Sequence, residues 1–345
     1  MWRKLIVFAM LFLSIALMYA CSKNEDEITP DEENVTFAIP SNFPKPAYNF
    51  ENNKLTNAGF ALGKKLFYEA RLSADKSVSC GSCHQQFAAF ANLDHSVSHG
   101  VDNCQGKRNA PPLFNLAWQQ AFFWDGGVKN LETSPLNALT DVCEMKTDIE
   151  TVVKFLKNTA PYPEMFKRAF GSSEINSQTV LKSITQFMGV LVSGNSKYDK
   201  VMRKESGISF TSDEQLGYNL FKEKCASCHA EPFFSDFSYR SNGLDLVSTD
   251  EGRSHISGVQ SDFGKFRVPS LRNIEYTGPY MHDGRFYNLD EVLEHYNSGV
   301  KASENLDSSL RNGISLSSSE RTQIKAFLKT LTDNEFIKNK LYSES

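Results

Sequence analysis

The sequence predicts an all-α protein on three observations. Several segments repeat apolar residues at helical spacing, two segments begin with a Ser/Thr-x-x-Glu capping box, and no run alternates between apolar and polar residues as a strand would. The 345 residues are enough for two domains of ordinary size. The formal net charge is −4 with both signs mixed along the chain, so no basic surface for nucleic acid is expected.

In the first half of the chain, the apolar spacing predicts helices at residues 57–67, 147–170 and 174–194. Frequent Gly, Asn and Pro residues from 85 to about 117 predict loops instead. The Ser-Gly-Asn-Ser segment at 193–196 predicts a break in the chain, and a domain boundary is expected within about ten residues of it.

In the second half, the capping box at 211–214 predicts the start of a helix, and a second box at 317–320 predicts the start of the terminal helix. A short helix is expected at 289–297. Residues 230–270 are rich in Gly, Ser and Asp without a sustained period, so this stretch is predicted to be irregular.

A Cys-x-x-Cys-His motif occurs twice, at Cys80–His84 and at Cys225–His229. This pattern attaches c-type haem, because the two thiols add to the porphyrin vinyl groups and the histidine binds the iron. A redox dithiol or half of a zinc site is the alternative for a Cys-x-x-Cys pair, but neither needs a histidine directly after the second cysteine. The predicted attachment residues are Cys80, Cys83, Cys225 and Cys228, with His84 and His229 as iron ligands.

The two motifs are far enough apart for one haem per domain. We therefore predict an N-terminal haem domain at 43–203 and a C-terminal haem domain at 204–345. The expected architecture is two cytochrome c-like, all-α domains with long irregular loops around the haems.

The N-terminus predicts export. Basic residues at 2–4 precede an apolar run at 5–19 that is too short for a comfortable membrane span, and Cys21 closes it after a small residue. Residues 1–21 resemble a bacterial lipoprotein signal with Cys21 as the lipidated residue; a plain signal peptide with an incidental cysteine is the alternative. Residues 22–42 are acidic and poor in apolar side chains, which predicts a tether. The expected location is the periplasm or the outer membrane, with Cys21 as the sole membrane attachment.

Two further cysteines, Cys104 and Cys143, remain after the lipid and haem cysteines are assigned. An exported compartment is oxidising, so a disulfide between them is reasonable. Two buried free thiols are the alternative.

The second axial position decides what each iron does. A strong ligand there makes an electron-transfer centre, whereas an open or labile position lets peroxide or dioxygen bind. Composition does not choose among the available side chains. They are His95 or His99 for the first haem, and Met281, His282, His295 or Tyr296 for the second.

The order of motifs resembles the bacterial di-haem cytochrome c peroxidase family, which includes the MauG-type enzymes. The resemblance covers about residues 50–333. Its segments are the two haem motifs, Gly106–Pro111, Phe123–Gly127, Glu144-Met145, and the long run from Phe266 to Arg285.

The resemblance implies that the first haem is the peroxidatic one and that Glu144 moves protons during O–O cleavage. A surface glutamate is the alternative reading of that residue. The family usually has a glutamine ten residues before this glutamate, where this chain has Ser134. Trp124 matches the tryptophan between the haems, where an indole can relay an electron; an ordinary core tryptophan is the alternative.

The remaining ligands are also implied by the resemblance. His99 lies where relatives carry a removable distal histidine on the first haem, which reduction of the second haem expels. Tyr296 lies where MauG-type members have a tyrosine ligand and other peroxidases a methionine; Met281 is the competing ligand, and His282 is expected beside the haem. Calcium is implied at the domain junction, bound by hard oxygen ligands of Asn109, Thr277 and Pro279.

The implied function is a cytochrome c peroxidase-type oxidoreductase that reduces hydrogen peroxide at the N-terminal haem. Electrons are expected from a small cytochrome c or another redox protein, by way of the C-terminal haem and Trp124. One alternative is MauG-type oxidation of a partner protein's side chain through high-valent haem. The other is a non-catalytic di-haem electron carrier. The resemblance also allows a homodimer.

Overall fold

The computed structural model describes residues 35–93 and 95–344. The predicted signal peptide and residues 22–34 of the predicted tether lie outside the described residues. The described chain is mostly helical, as predicted, with long irregular connections. The α-helices of the described residues are α1 (Asn57–Phe67), α2 (Cys80–Cys83), α3 (Ser134–Thr140), α4 (Ile149–Lys157), α5 (Tyr162–Phe170), α6 (Ser177–Gly189), α7 (Lys197–Met202), α8 (Ser212–Lys224), α9 (Ser254–Ser257), α10 (Leu289–Glu294), α11 (Ser318–Lys329) and α12 (Asn334–Ile337).

Short elements complete the described chain. Two-residue strands, β1 (Tyr239–Arg240) and β2 (Phe266–Arg267), form an antiparallel pair within the stretch predicted to be irregular. Single 3-10 turns lie at Ala70–Leu72, Gln86–Ala88, Val101–Asn103, Leu116–Trp118, Leu131–Thr133, Gln260–Asp262, Ser308–Leu310 and Lys340–Tyr342. Among the described helices, none is long and apolar enough to cross a membrane.

Each haem motif follows one member of a closely packed helix pair. Helix α1 precedes the first motif and packs on α6, where a Cβ added to Gly63 would lie 1.9 Å from the Ser183 carbonyl oxygen. Helix α8 runs directly into the second motif and packs on α11, where a Cβ added to Gly217 would lie 1.9 Å from the Gln323 carbonyl oxygen. Glycine at these positions allows the close approach of the two helix backbones.

Local signals fix the helix ends. The capping boxes at 211–214 and 317–320 are confirmed, with the Thr211 and Ser317 side chains each accepting from the backbone of the glutamate three residues later. The predicted helix at 147–170 is two helices, because the chain turns at 158–161 and Pro161 precedes α5. Proline lacks the N–H that would continue the ladder of the preceding helix.

Three groups of buried apolar side chains form the core. The first surrounds α1 and α6, and it includes Phe336 and Ile337 from the end of the chain. The second surrounds α8 and α11. A smaller aromatic group, centred on Trp118, contacts Phe37. Thus the last residues of the predicted tether, 35–42, lie on the folded body. The boundaries at 43–203 and 204–345 stay a prediction.

Candidate haem sites

The first motif presents a preorganised histidine. His84 Nδ1 donates to the Phe90 carbonyl oxygen at 2.9 Å, which leaves the lone pair of Nε2 for a metal. Burial lowers the pKa of His84 to about 4, and the bond to Phe90 opposes this only in part. The imidazole is therefore neutral at pH 7, the form that binds iron.

The Glu144 carboxyl lies beside the first pair of thiols. After burial, its charge is the next cause that raises the pKa of Cys80, and it also raises the pKa of Cys83. Burial, together with the charge of Asp141, raises the pKa of Glu144 itself to about 7. A carboxyl group that titrates near neutral pH can both accept and return a proton. Met145, the next residue, is buried in the first core group.

Ser134 begins α3, the helix that leads towards Glu144. Its side chain is buried, and its hydroxyl donates to the Leu131 carbonyl oxygen at 2.9 Å. The hydroxyl proton is therefore used locally, so the Ser134 oxygen could serve a distal ligand only as an acceptor. Support of a distal ligand by Ser134 stays a prediction.

The backbone of His99 contacts a thiol of the first motif, and its ring contacts Asn103 and His95. The Cys83 thiol contacts the Ser98 hydroxyl and the His99 backbone. The His99 ring donates through Nδ1 to Asn103 Oδ1 at 3.1 Å, and it lies 4.6 Å from the His95 ring. Whether His99 binds the first iron stays a prediction.

The His99 loop is fixed to the Glu144 segment by two connections. Cys104 and Cys143 form a disulfide, so the free-thiol alternative is wrong. Next to it, the Val101 amide donates to the Glu144 carbonyl oxygen at 2.9 Å. These connections hold the backbone of Glu144 against the loop that borders the first thiols.

The second motif repeats the arrangement of the first. His229 Nδ1 donates to the Phe234 carbonyl oxygen at 3.0 Å, and burial lowers the pKa of this histidine. Burial raises the pKa of Cys225 to about 12. Buried histidines with lowered pKa values, each beside a pair of free thiols, fit covalent haem at both motifs.

Tyr296 and Met281 meet at one side chain that the sequence did not single out, Asn242. Burial raises the pKa of Tyr296 to about 12, a hydrogen bond from Asn242 opposes the rise, and the charges of Cys225 and Cys228 add to it. The Asn242 side chain also donates to the Met281 sulfur at 3.3 Å. Tyr296 therefore lies at the second pair of thiols, with Met281 close by.

A change of helix type positions Tyr296. Helix α10 ends at Glu294 and continues as a π-helical turn over His295–Gly299, where the sequence predicts a plain helix to 297. His295 donates through Nε2 to the Asn242 carbonyl oxygen at 3.0 Å, so its ring is already engaged. Single π turns are frequent at functional sites.

Trp124 links the two halves of the described chain. Its side chain is buried and donates through Nε1 to the Asn109 carbonyl oxygen at 2.8 Å. Its own carbonyl oxygen accepts from the Arg267 amide of β2 at 2.7 Å. Beside it, Arg108 forms ion pairs with Asp125 and Asp250. The indole is thus fixed by Asn109, and the Trp124 backbone is fixed by β2.

The implied calcium ligands come from two segments that contact each other. The Asn109 amide donates to the His282 carbonyl oxygen at 2.7 Å, and Thr277 and Pro279 lie shortly before His282 in the chain. The His282 ring stacks on Phe266 at 3.7 Å between centroids. The donor set consists of neutral amide and carbonyl oxygens, which calcium accepts.

Comparison with known proteins identifies related chains. A family model described as di-haem cytochrome c peroxidase matches residues 57–207. The methylamine utilization protein MauG of Methylorubrum extorquens is 36% identical over 302 residues, which cover 86% of this chain and 83% of MauG. The cytochrome c551 peroxidase of Nitrosomonas europaea is 34% identical over 286 residues, which cover 81% of each chain.

A solved structure agrees with these relatives. A MauG-like protein associated with microbial copper homeostasis superposes with a TM-score of 0.81 at 31% identity, over 90% of this chain and 99% of that one. The di-haem peroxidase BthA of Burkholderia thailandensis superposes with a TM-score of 0.70 at 20% identity, which shows a shared fold.

Proposed function

This chain belongs to the di-haem cytochrome c peroxidase family, and from that membership we propose that it reduces hydrogen peroxide at the first haem with electrons delivered through the second. The observation that carries the proposal is the Glu144 carboxyl, which lies beside the first thiols with its pKa raised to about 7. Carboxyl groups with pKa values raised towards neutrality are concentrated at catalytic sites, so this group favours a peroxidase over a non-catalytic electron carrier.

The residues that would hold the haems are the four motif cysteines with His84 and His229. The haems would supply iron that binds peroxide at one site and stores an electron at the other. Glu144 would accept a proton from peroxide and return it to the departing oxygen.

Trp124 would carry electrons between the two sites. Its indole N–H is held by Asn109, and its backbone is held by Arg267, so the ring keeps one position. We propose Tyr296 as the distal ligand at the second haem, with Met281 as the competing ligand. At the first haem we propose His99, whose ring would have to leave Asn103 to reach the iron.

We also propose export through residues 1–21, with lipid attachment at Cys21. A small cytochrome c is the proposed electron donor. The MauG-type alternative, oxidation of a side chain on a partner protein, is favoured by one observation, the placement of Tyr296 at the second thiols.

Peroxide reactivity is the direct test of the function. We expect stoichiometric hydrogen peroxide to change the haem absorption of the protein within a stopped-flow experiment, and reduced small cytochrome c to be oxidised in steady state. A reaction only after one-electron reduction supports gating by His99, and His99→Ala should then react while fully oxidised. Prompt reaction of the fully oxidised protein favours the MauG-type alternative. No reaction in either state would leave an electron carrier.

Calcium at Asn109, Thr277 and Pro279 is a further part of the proposal. Because an ion that binds only the folded protein stabilises it by mass action, we expect a chelator to lower the melting temperature by about 5–10 °C. Asn109→Ala should melt at the lower temperature with or without chelator. Differential scanning calorimetry measures both, and an unchanged melting temperature of the chelated wild type would contradict the site.

A further inference from the structure

Arg267 is a buried charge that the two sites leave unexplained. It is 7% exposed, and burial lowers its pKa to about 10, so it is protonated at pH 7. Its Nε donates to the Phe123 carbonyl oxygen at 3.2 Å, and its guanidinium lies 5.9 Å from the Phe237 ring. Among the described residues, no carboxylate pairs with Arg267. Its two terminal nitrogens donate no hydrogen bond to any acceptor in that part of the chain.

Arg272, five residues later, shows how this chain neutralises a buried guanidinium. It is fully buried, and its terminal nitrogens bind both carboxylate oxygens of Asp199 at 2.8 Å each. A buried charge without a counter-charge destabilises a fold. The planar fork of an arginine matches a carboxylate. The partner missing from Arg267 is therefore expected to be a carboxylate that the described part of the chain does not supply.

The position of Arg267 indicates where that carboxylate comes from. The Arg267 amide donates to the Trp124 carbonyl oxygen at 2.7 Å. Two residues later, the Pro269 backbone contacts the His229 imidazole. The Val268 carbonyl oxygen, between them, accepts from Ser235 at 2.6 Å. Arg267 thus lies between Trp124 and the proximal side of the second haem site.

We propose that Arg267 binds a propionate carboxylate of the second haem and places a positive charge between that haem and Trp124. Haem brings two propionates into its site, and the terminal nitrogens of Arg267 can bind one of them in a fork. A positive charge there stabilises the reduced haem, so Arg267 is a positioning residue that favours electron storage. The inference rests on the proposed function only in requiring both haems.

Arg267→Gln and Arg267→Lys in the fully haem-loaded protein test the assignment. Spectroelectrochemistry resolves the reduction potential of each haem without any peroxide turnover, so a failure of the peroxidase proposal does not affect it. In Arg267→Gln we expect the reduced form of the second haem to be disfavoured about tenfold, which is 59 mV for one electron. Arg267→Lys keeps the charge and should recover most of the shift. In both variants the propionate bending band in resonance Raman spectra should move, because the fork is lost.

Arg253→Gln is the matched control. Arg253 lies over the Tyr239 ring and donates to the carbonyl oxygens of Asp125 and Gly126, which flank Trp124 on the C-terminal side. The substitution Arg253→Gln therefore removes one positive charge from the same neighbourhood. We expect less than a threefold change from it. An equal shift in Arg253→Gln, or unchanged potentials in Arg267→Gln, would overturn the proposal. A shift of the first haem alone would overturn the assignment to the second. If Arg267→Gln fails to fold, the Raman band of Arg267→Lys decides.

Discussion

Glu144→Gln is expected to lower kcat/KM for hydrogen peroxide by about 10²–10⁴-fold, the usual contribution of a positioned acid–base group. The amide keeps the size and the hydrogen-bonding capacity of the side chain, but it cannot take up a proton at neutral pH. Steady-state oxidation of reduced cytochrome c measures the effect. Above pH 7 the variant should be more stable than the wild type, because burial disfavours the ionised carboxylate that it replaces.

The pH dependence of kcat/KM shows which protonation state of Glu144 is active. The carboxylate form accepts the first proton, and the pKa of Glu144 is about 7. In the wild type, kcat/KM should therefore rise with pH through an inflection near 7, and this inflection should be absent in Glu144→Gln. A rate and a profile unchanged by the substitution would show that another group carries the proton, or that the chain is an electron carrier.

Asp141→Asn is the matched control for Glu144. The charge of Asp141 is the second cause, after burial, of the raised pKa of Glu144. The Asp141 side chain accepts from the Cys143 amide, and an asparagine can still accept there. We expect Asp141→Asn to keep the maximal rate and to move the inflection to lower pH, because Glu144 then ionises more easily.

Local features of this fold could be predicted from the sequence. The capping boxes at 211–214 and 317–320 specify helix starts by local chemistry, and the Cys-x-x-Cys-His motifs identify the haem sites without tertiary information. The sequence predicts one helix at 147–170 and not the two that form, because the apolar period continues through the turn before Pro161. Periodicity reports a shared buried face, and two helices in succession can share one.

The groups that complete the sites depend on contacts between distant segments. Asn242 lies in the irregular stretch at 230–270, and only the folded chain brings it to Met281 and Tyr296. Arg267 belongs to a motif that the resemblance identified, yet only the structure shows that no carboxylate in residues 35–93 and 95–344 pairs with it. Sequence spacing could not separate it from Arg272, which is fully paired.

Tyr296→Met is expected to raise the reduction potential of the second haem by about 0.2 V, because axial ligands span about 0.8 V among haem proteins and thioether ligands lie at the high end. A phenolate is anionic and favours the oxidised iron, whereas a thioether is neutral and favours the reduced iron. Spectroelectrochemistry measures the potential, and electron paramagnetic resonance reports the change of ligand. The higher potential should make one-electron reduction by cytochrome c more favourable.

Met281→Leu distinguishes the two candidate ligands. Both side chains accept from Asn242, so either substitution frees that amide and disturbs the site to a similar extent. If Tyr296 is the ligand, Met281→Leu should leave the electron paramagnetic resonance spectrum of the second haem unchanged. Tyr296→Phe should abolish the tyrosinate features of that spectrum. A changed spectrum in Met281→Leu and an unchanged one in Tyr296→Phe would identify Met281 as the axial ligand. In that case the placement of Tyr296 no longer favours MauG-type oxidation. The peroxidase proposal is then strengthened, because a thioether-ligated haem suits the storage of an electron.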